Sequence, residues 1–554
     1  MENMYMQRLV EFANDNTDKL PATGYKQKKY QWLVTVSPQG DFDFVKASKN
    51  DQQTIPDLSR SSGVKSILLS DKAQYVFAIS KDNATEKDKQ RTEECHEAYK
   101  KLLDECQRET ESEGIHLILE GLKNQSFVIP SDMKESDMII FRTGTGHFSH
   151  KEPSVIKFWG NRCIPDPNGV EKKICIVCGK KEVPIERHSM EFLVGPERTK
   201  LISANGSAYL SYGLKASIVA PTCFLCEQKY GQALTYLLSK YNDPEKKGGP
   251  HTFAAGGVTY VYWTKKGGFD LGSFMTKPNV EDVKEVLQSP FTTRQSEASD
   301  FFLLVLTANK GRLVVRDYLE SDISKIQART KVFFEAQDVG RDRYYGVYTL
   351  ASAMYRDASK EMQPYAVQEW VKWAVYGYPL SGRIARQTLT RIQADKNGMN
   401  SLHAAVLKSW LISNKKGEWT VLVTEENKSP AYISGRLFAV LEKIQKDAVR
   451  GNETIASKFY GTASTVPRSI FGLLIRNSQA HLSKLMKDPA KKGFAINLSK
   501  EIQNILDDLP KFPGVLKLDE QAEFGLGYYH QRQKLYTSKT KPEGANEDEL
   551  KSIN

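Results

Sequence analysis

The rhythm of hydrophobic and polar positions changes once along the chain. Up to about residue 320, short alternating or continuous apolar runs are separated by Pro, Gly, Ser and Asn. From Ile323 onward, apolar residues recur at intervals of three and four. The first rhythm predicts strands. Tyr30–Val36 (YQWLVTV) and Asp41–Val45 flank Ser37-Pro38-Gln39-Gly40 and read as a hairpin. Ala73–Ile79, Met138–Arg142, Val155–Trp159 and Thr259–Trp263 read as further strands, and Phe302–Thr307 with Arg312–Arg316 as a second hairpin. Two helical stretches interrupt them. Residues 1–20 place Tyr5, Leu9, Phe12 and Ala13 on one face, and the charged stretch 86–123 has the spacing of one or two exposed helices. The second rhythm predicts a helical bundle with breaks near 377–381, 396–399 and 424–430. Its punctuation is Tyr378-Pro379, Ser429-Pro430, Val466-Pro467 and Phe512-Pro513.

The expected architecture is therefore an α+β N-terminal region over 1–320, connecting helices over 321–395, and an all-α C-terminal bundle over 396–537. A cysteine-bearing element is embedded at about 160–230. Residues 538–554 hold almost no apolar side chain and are expected to be disordered.

Size and composition narrow the class. A chain of 554 residues exceeds one hydrophobic core, and 40% hydrophobic with 26% charged residues is the balance of a globular protein. No apolar run approaches the ~18 residues of a membrane span, and MENMYMQRLVEFANDN lacks the apolar core of a signal peptide, so a cytoplasmic protein is expected. The net charge of +11 is uneven: residues 401–540 hold 21 Lys+Arg against 13 Asp+Glu, which favours a polyanionic partner. No P-loop, HExxH, GxSxG or paired His-Asp motif points to an enzyme.

Four of the seven cysteines form two pairs, Cys175-Ile-Val-Cys178-Gly179 and Cys223-Phe-Leu-Cys226, 44 residues apart. A CxxC turn presents two thiolates to one ion, and two such turns complete a closed tetrahedral zinc site with no position left for water. The zinc is then structural. Treble-clef HNH nucleases carry similar pairs around a histidine, and His188 lies in the interval, so a metal-dependent nuclease stands as an alternative. Against it, Cys226-Glu227-Gln228-Lys229 supplies no second histidine or asparagine for a catalytic metal. A scaffold contacting only protein and RNA is a further possibility.

Near the end, Gly525–Tyr536 (GLGYYHQRQKLY) follows Phe512-Pro513 and the acidic Asp519-Glu520-Gln521 with adjacent tyrosines, a histidine and an arginine on one helix. Such a mixture suits nucleic-acid backbone or a polar partner surface. The segment resembles the C-terminal signature of the Csd-type large subunit of the type I-C CRISPR surveillance complex, Cascade. Other blocks resemble the same family in order: Arg60-Ser61-Ser62-Gly63; Ser203-Ala-Asn205 with Ala208–Gly213; Ala220-Pro221; Ala233–Leu238; Gly435–Glu442; Asn452–Ile455; Phe459–Pro467; and Ser478–Leu482. The cysteine pairs depart from the family pattern, which has one cysteine where Cys175 and Cys178 stand and Pro-Val-Ser-Glu at Pro221–Cys226. The zinc is thus an inference from spacing alone.

The resemblance implies a non-catalytic subunit of a ribonucleoprotein. It would read a protospacer-adjacent motif in double-stranded DNA, support unwinding and R-loop formation, and provide a docking platform for a separate helicase-nuclease. Its partners would be guide crRNA, target DNA, and the backbone, guide-processing and small subunits. Candidate motif readers lie in two glycine-punctuated loops: Arg60, Ser61, Ser62 and Lys65, and Arg198, Lys200, Asn205, Ser207 and Lys215. Arg436, Lys443, Lys458, Arg468, Arg476, Lys484 and Arg532 form a candidate track for the displaced strand, with Tyr528 and Tyr529 either stacking bases or packing the bundle. The C-terminal bundle resembles the family's small subunit, and Met399 is a plausible internal start for a separate copy.

Overall fold

The computed structural model describes residues 4–537 except 59, 61–62, 126, 145, 169, 205, 210–212, 215, 241–248, 266–268, 289–299, 342, 396–397, 421, 425 and 450–453. The tail over 538–554 lies outside the described residues. The chain forms two compact units, Met1–Ser239 with Thr307–Val315, and Lys240–Leu306 with Arg316–Asn554.

In the first unit, the predicted hairpin forms as Trp32–Val36 against Phe42–Lys46. The sheet continues through Met138–Thr143, parallel to Trp32–Val36, to Ser70–Lys72. The charged stretch folds into two helices. Glu86–Thr110 starts at a capping box between Thr85 and Asp88, and Glu113–Asn124 at the Ser112 hydroxyl. Their polar faces are exposed, while Leu102, Leu103, Ile115 and Ile118 join Val34, Val36 and Ile139 in one core.

Two expected strands are helices instead. Ala73–Phe77 is a single helical turn closed by Ala78 in the left-handed region (φ 55°), and Pro153–Cys163 is a full helix. Short buried apolar runs do not distinguish the two states by composition. For the second, Pro153 at the helix start and the spacing of Val155, Phe158, Trp159 and Cys163 favour the helix. The N-terminal helix Met4–Asp15 buries Met6, Leu9, Phe12 and Ala13.

In the second unit, Val258–Thr264 pairs with Thr252–Ala255 on one side and with Phe301–Leu306 on the other. One core joins these strands to the helices beyond residue 323, from Phe253 and Leu303 to Trp370, Phe438 and Tyr528. The centre of the helical part is the pair Pro430–Ala448 and Leu518–Thr537. Glycines set their separation: a Cβ on Gly435 would lie 2.0 Å from the Phe524 carbonyl oxygen, and one on Gly527 2.1 Å from that of Tyr432. The backbones therefore touch, and any side chain at either position would force them apart. Among the described residues, no helix is long and apolar enough to cross a membrane.

Candidate metal centre and nucleic-acid interface

The four paired cysteines converge in the first unit. The first pair sits on the turn between the short strands Lys173–Ile174 and Lys181–Glu182. Gly179 takes φ 71° there, and its N–H reaches the Cys175 carbonyl at 2.9 Å, tucking the turn beneath the sulfurs. The second pair opens the helix Phe224–Leu237, with Cys223 at its cap and Cys226 in its first turn. A hairpin, Phe192–Val194 with Glu197–Thr199, lies between the pairs in sequence, giving the knuckle, hairpin and helix order of a treble clef.

All four Sγ atoms lie within 4.8 Å of one another. Tetrahedral zinc with ~2.3 Å bonds needs sulfurs about 3.8 Å apart, and Cys178 and Cys223 stand at 4.0 Å. Hydrogen bonds from the Cys223 and Cys226 thiols push the Cys175 thiol far down, helped by the Cys178 and Cys223 backbone N–H groups, the latter at 3.4 Å. The same contacts push Cys223 up to about 11 and Cys226 higher still. Four sulfurs this close cannot all ionise without a cation between them, so the donor set fits a structural zinc. Among the described residues, these cysteines are the one such group of His, Cys, Asp or Glu able to hold a metal. Met6 of the N-terminal helix packs on them.

The helix that carries the second pair also fixes the loop before the hairpin. The buried Glu227 carboxylate accepts the Ser189 and Met190 backbone N–H groups and the Ser189 hydroxyl. His188 is 3% exposed, with Nδ1 2.7 Å from the Tyr230 hydroxyl. Burial, aided by the Lys200 charge, pushes its imidazole down to about 4. His188 is thus packed into the module rather than presented to solvent, and Glu227 is consumed as an anchor.

The candidate motif readers divide. Arg60 turns inward: it pairs with the buried Asp71 and lies over the Tyr75 ring at 4.0 Å. Burial raises the Asp71 pKa against the opposing pull of Arg60, so this guanidinium, named among the candidate DNA contacts, is engaged within the fold. Lys65 and Arg198 are exposed. The Lys200 ammonium donates to the His188 carbonyl at 3.0 Å and faces Glu191 at 3.7 Å. Ser61, Ser62, Asn205 and Lys215 lie outside the described residues, as does the side chain of Ser207.

The displaced-strand candidates divide as sharply. Arg436 is 3% exposed, with Nε donating to Gln531 at 3.0 Å and a guanidinium nitrogen 4.0 Å from Glu501. Gln531 and Lys534 reach the same Glu501 at 2.7 and 2.9 Å. Arg532 donates to the Met399 carbonyl at 3.3 Å and faces Glu442 at 3.8 Å. Lys443 meets Asp447 at 3.2 Å and lies over the Phe494 and Tyr536 rings. These three cations are used within the bundle, where position in a packed helix outweighs charge. Lys458, Arg468, Arg476 and Lys484 remain exposed on the helices Ile455–Thr465 and Pro467–Met486.

In the GLGYYHQRQKLY segment the packing alternative is the one the structure shows. Tyr528 and Tyr529 are both buried. The Tyr528 hydroxyl donates to Glu442 at 2.7 Å, and the Tyr529 hydroxyl accepts from Gln533 at 3.2 Å. His530 Nδ1 is 3.0 Å from the Tyr432 hydroxyl, and burial pushes this imidazole down to about 4, with Lys408 adding to it. The polar side chains there stitch two touching helices together. Sequence reasoning missed the tip of the second hairpin: Lys200 donates its backbone N–H to the Gly311 carbonyl at 3.1 Å and accepts from Leu313 at 3.0 Å.

None of the curated proteins matches the chain. The family described as CRISPR-associated protein (Cas_Csd1) matches it over residues 4–536. With both units and the bundle signature inside that span, the chain belongs to the Csd1 family, the large subunit of type I-C CRISPR systems.

Proposed function

We propose that this protein is the DNA-binding large subunit of a type I-C Cascade. In this reading it inspects double-stranded DNA for the protospacer-adjacent motif, supports R-loop formation and gives a separate helicase-nuclease its docking surface. Guide pairing supplies the rest of the specificity. Family membership over nearly the whole chain carries the proposal. Its proposed contacts are Lys65, Arg198 and Lys200 for the duplex, with Ser61, Ser62, Asn205, Ser207 and Lys215 as neighbouring polar groups. Lys458, Arg468, Arg476 and Lys484 form the proposed track for the displaced strand. The cysteine centre is proposed to hold zinc as a staple, keeping the Arg198–Lys200 strand in place. Cleavage by this chain is not proposed, because His188 is buried against Tyr230.

The test is target retention by a complex reconstituted with guide RNA. Reversing the charge of Lys458, Arg468, Arg476 and Lys484 together is expected to weaken retention. It should also reduce the slope of log affinity against log salt by up to roughly 0.7 per lost phosphate contact on single-stranded DNA. An unchanged slope would leave these cations without a nucleic-acid role.

A further inference from the structure

Resting on the DNA-binding reading above, we infer that the hairpin tip Lys310-Gly311-Arg312, together with Tyr209, forms a further contact for the phosphate backbone of target duplex DNA. The tip arrives from more than 100 residues away in sequence and is fixed by backbone. Gly311 and Leu313 pair with Lys200 as described, and the Gly311 N–H also donates to Glu197 at 3.3 Å. This places Lys310 and Arg312 beside the short strand that carries Arg198, the exposed cation of the proposed duplex surface.

Three observations favour a ligand here. First, Arg198, Lys310 and Arg312 are exposed and, among the described residues, have no ion-pair partner, while nearby Glu197 is held by the Gly311 N–H and Glu191 by Lys200. Second, the Arg312 guanidinium lies 4.3 Å over the Tyr209 ring, which is itself 38% exposed. A guanidinium spread on an aromatic face keeps its edge donors free for phosphate and presents a flat surface to a base or sugar. Third, the two-residue turn holds Lys310 at φ 49° and Gly311 at φ 78°. Hairpin turns with both central residues left-handed favour Asn, Asp or Gly. A lysine there gains nothing locally, since among the described residues its ammonium has no hydrogen-bond partner, yet it places an exposed cation on the hairpin turn.

The experiment uses the reconstituted, guide-loaded complex and a fluorescent duplex carrying the motif, titrated across salt concentrations. Lys310→Gly removes the cation while relieving its backbone conformation, so it should fold at least as well as the parent. It is expected to lower duplex affinity by roughly threefold and the salt slope by about one. Lys310→Glu with Arg312→Glu should lower affinity by roughly tenfold or more, and Tyr209→Ala should give a smaller loss than that pair. Parental binding by both tip variants would overturn this inference and leave the DNA-binding reading standing. A loss of guide-RNA loading, with DNA affinity unchanged once loaded, would also overturn it, by moving the contact to RNA. Failure of the parental complex to bind any duplex would overturn both.

Discussion

The Leu518–Thr537 helix and the cysteine module carry similar side chains and use them in opposite ways. On the helix, Tyr528, His530, Arg532 and Gln533 each have an internal partner: Glu442, Tyr432, the Met399 carbonyl and the Val339 carbonyl. On the module, Tyr209, Arg198 and Arg312 remain at the surface around a docked hairpin tip. Residue type is the same in the two places, but glycine spacing is not. Gly435 and Gly527 bring two backbones into contact and leave no exit for the polar groups beside them, so those groups must satisfy one another. A polar aromatic motif on a helix with glycines at its contact face is therefore first a packing device.

Three perturbations sharpen or break this contrast, beginning with the largest. Structural zinc contributes on the order of 10 kcal/mol to small modules. Mutating Cys223→Ser with Cys226→Ser should eliminate bound zinc, measured as metal per chain, and open residues 173–237 to protease while the second unit keeps its melting transition. A chain that binds no zinc as purified, and whose proteolysis pattern is unchanged by these mutations, would remove the staple from the account.

Next, Arg436→Ala and Arg476→Ala should separate by stability. Loss of buried Arg436 leaves Glu501 facing only Lys534 and Gln531, and should cost about 3 kcal/mol in denaturant unfolding, the low end for a broken buried pair. Exposed Arg476→Ala should stay within ~0.5 kcal/mol. Equal effects would mean that the two arginines share an environment.

Smaller again is a pH effect common to both regions. His530 is held near 4 in the fold by burial and by Lys408, against about 6.5 when unfolded. The unfolded chain therefore binds more protons between those values. The contribution is fully present above pH ~6.5 and is lost as pH falls toward 4, with a ceiling of ~3 kcal/mol. His530→Gln should flatten the fall in second-unit stability between pH 7 and 5, and His188 predicts the same sign for the first unit. An unchanged pH profile would place a charged, solvated imidazole at position 530.

Much of this was legible in the sequence. The two rhythms located the helical bundle and most of the strands, and CxxC spacing located the four-cysteine cluster. Ala73–Ile79 and Val155–Trp159 were misread because short, largely apolar runs fit either a strand or a helical turn. Burial of Arg436 had a signal: it interrupts a stretch, Ile433–Leu441, that is apolar on every side, the mark of a helix buried all round. The inward turn of Arg60 had none, because its partner Asp71 reads as an ordinary loop acid. The approach of Lys310–Arg312 to Lys200 was equally invisible, since it is a tertiary pairing across more than 100 residues.

The central claim, that this subunit gives the complex its motif discrimination, is tested most directly by leaving it out. Guide-loaded complexes assembled with and without this chain would be offered a duplex library with the protospacer fixed and the flanking motif randomised. The account predicts strong enrichment of one motif with the chain and none without it. Equal enrichment from both assemblies would contradict the account.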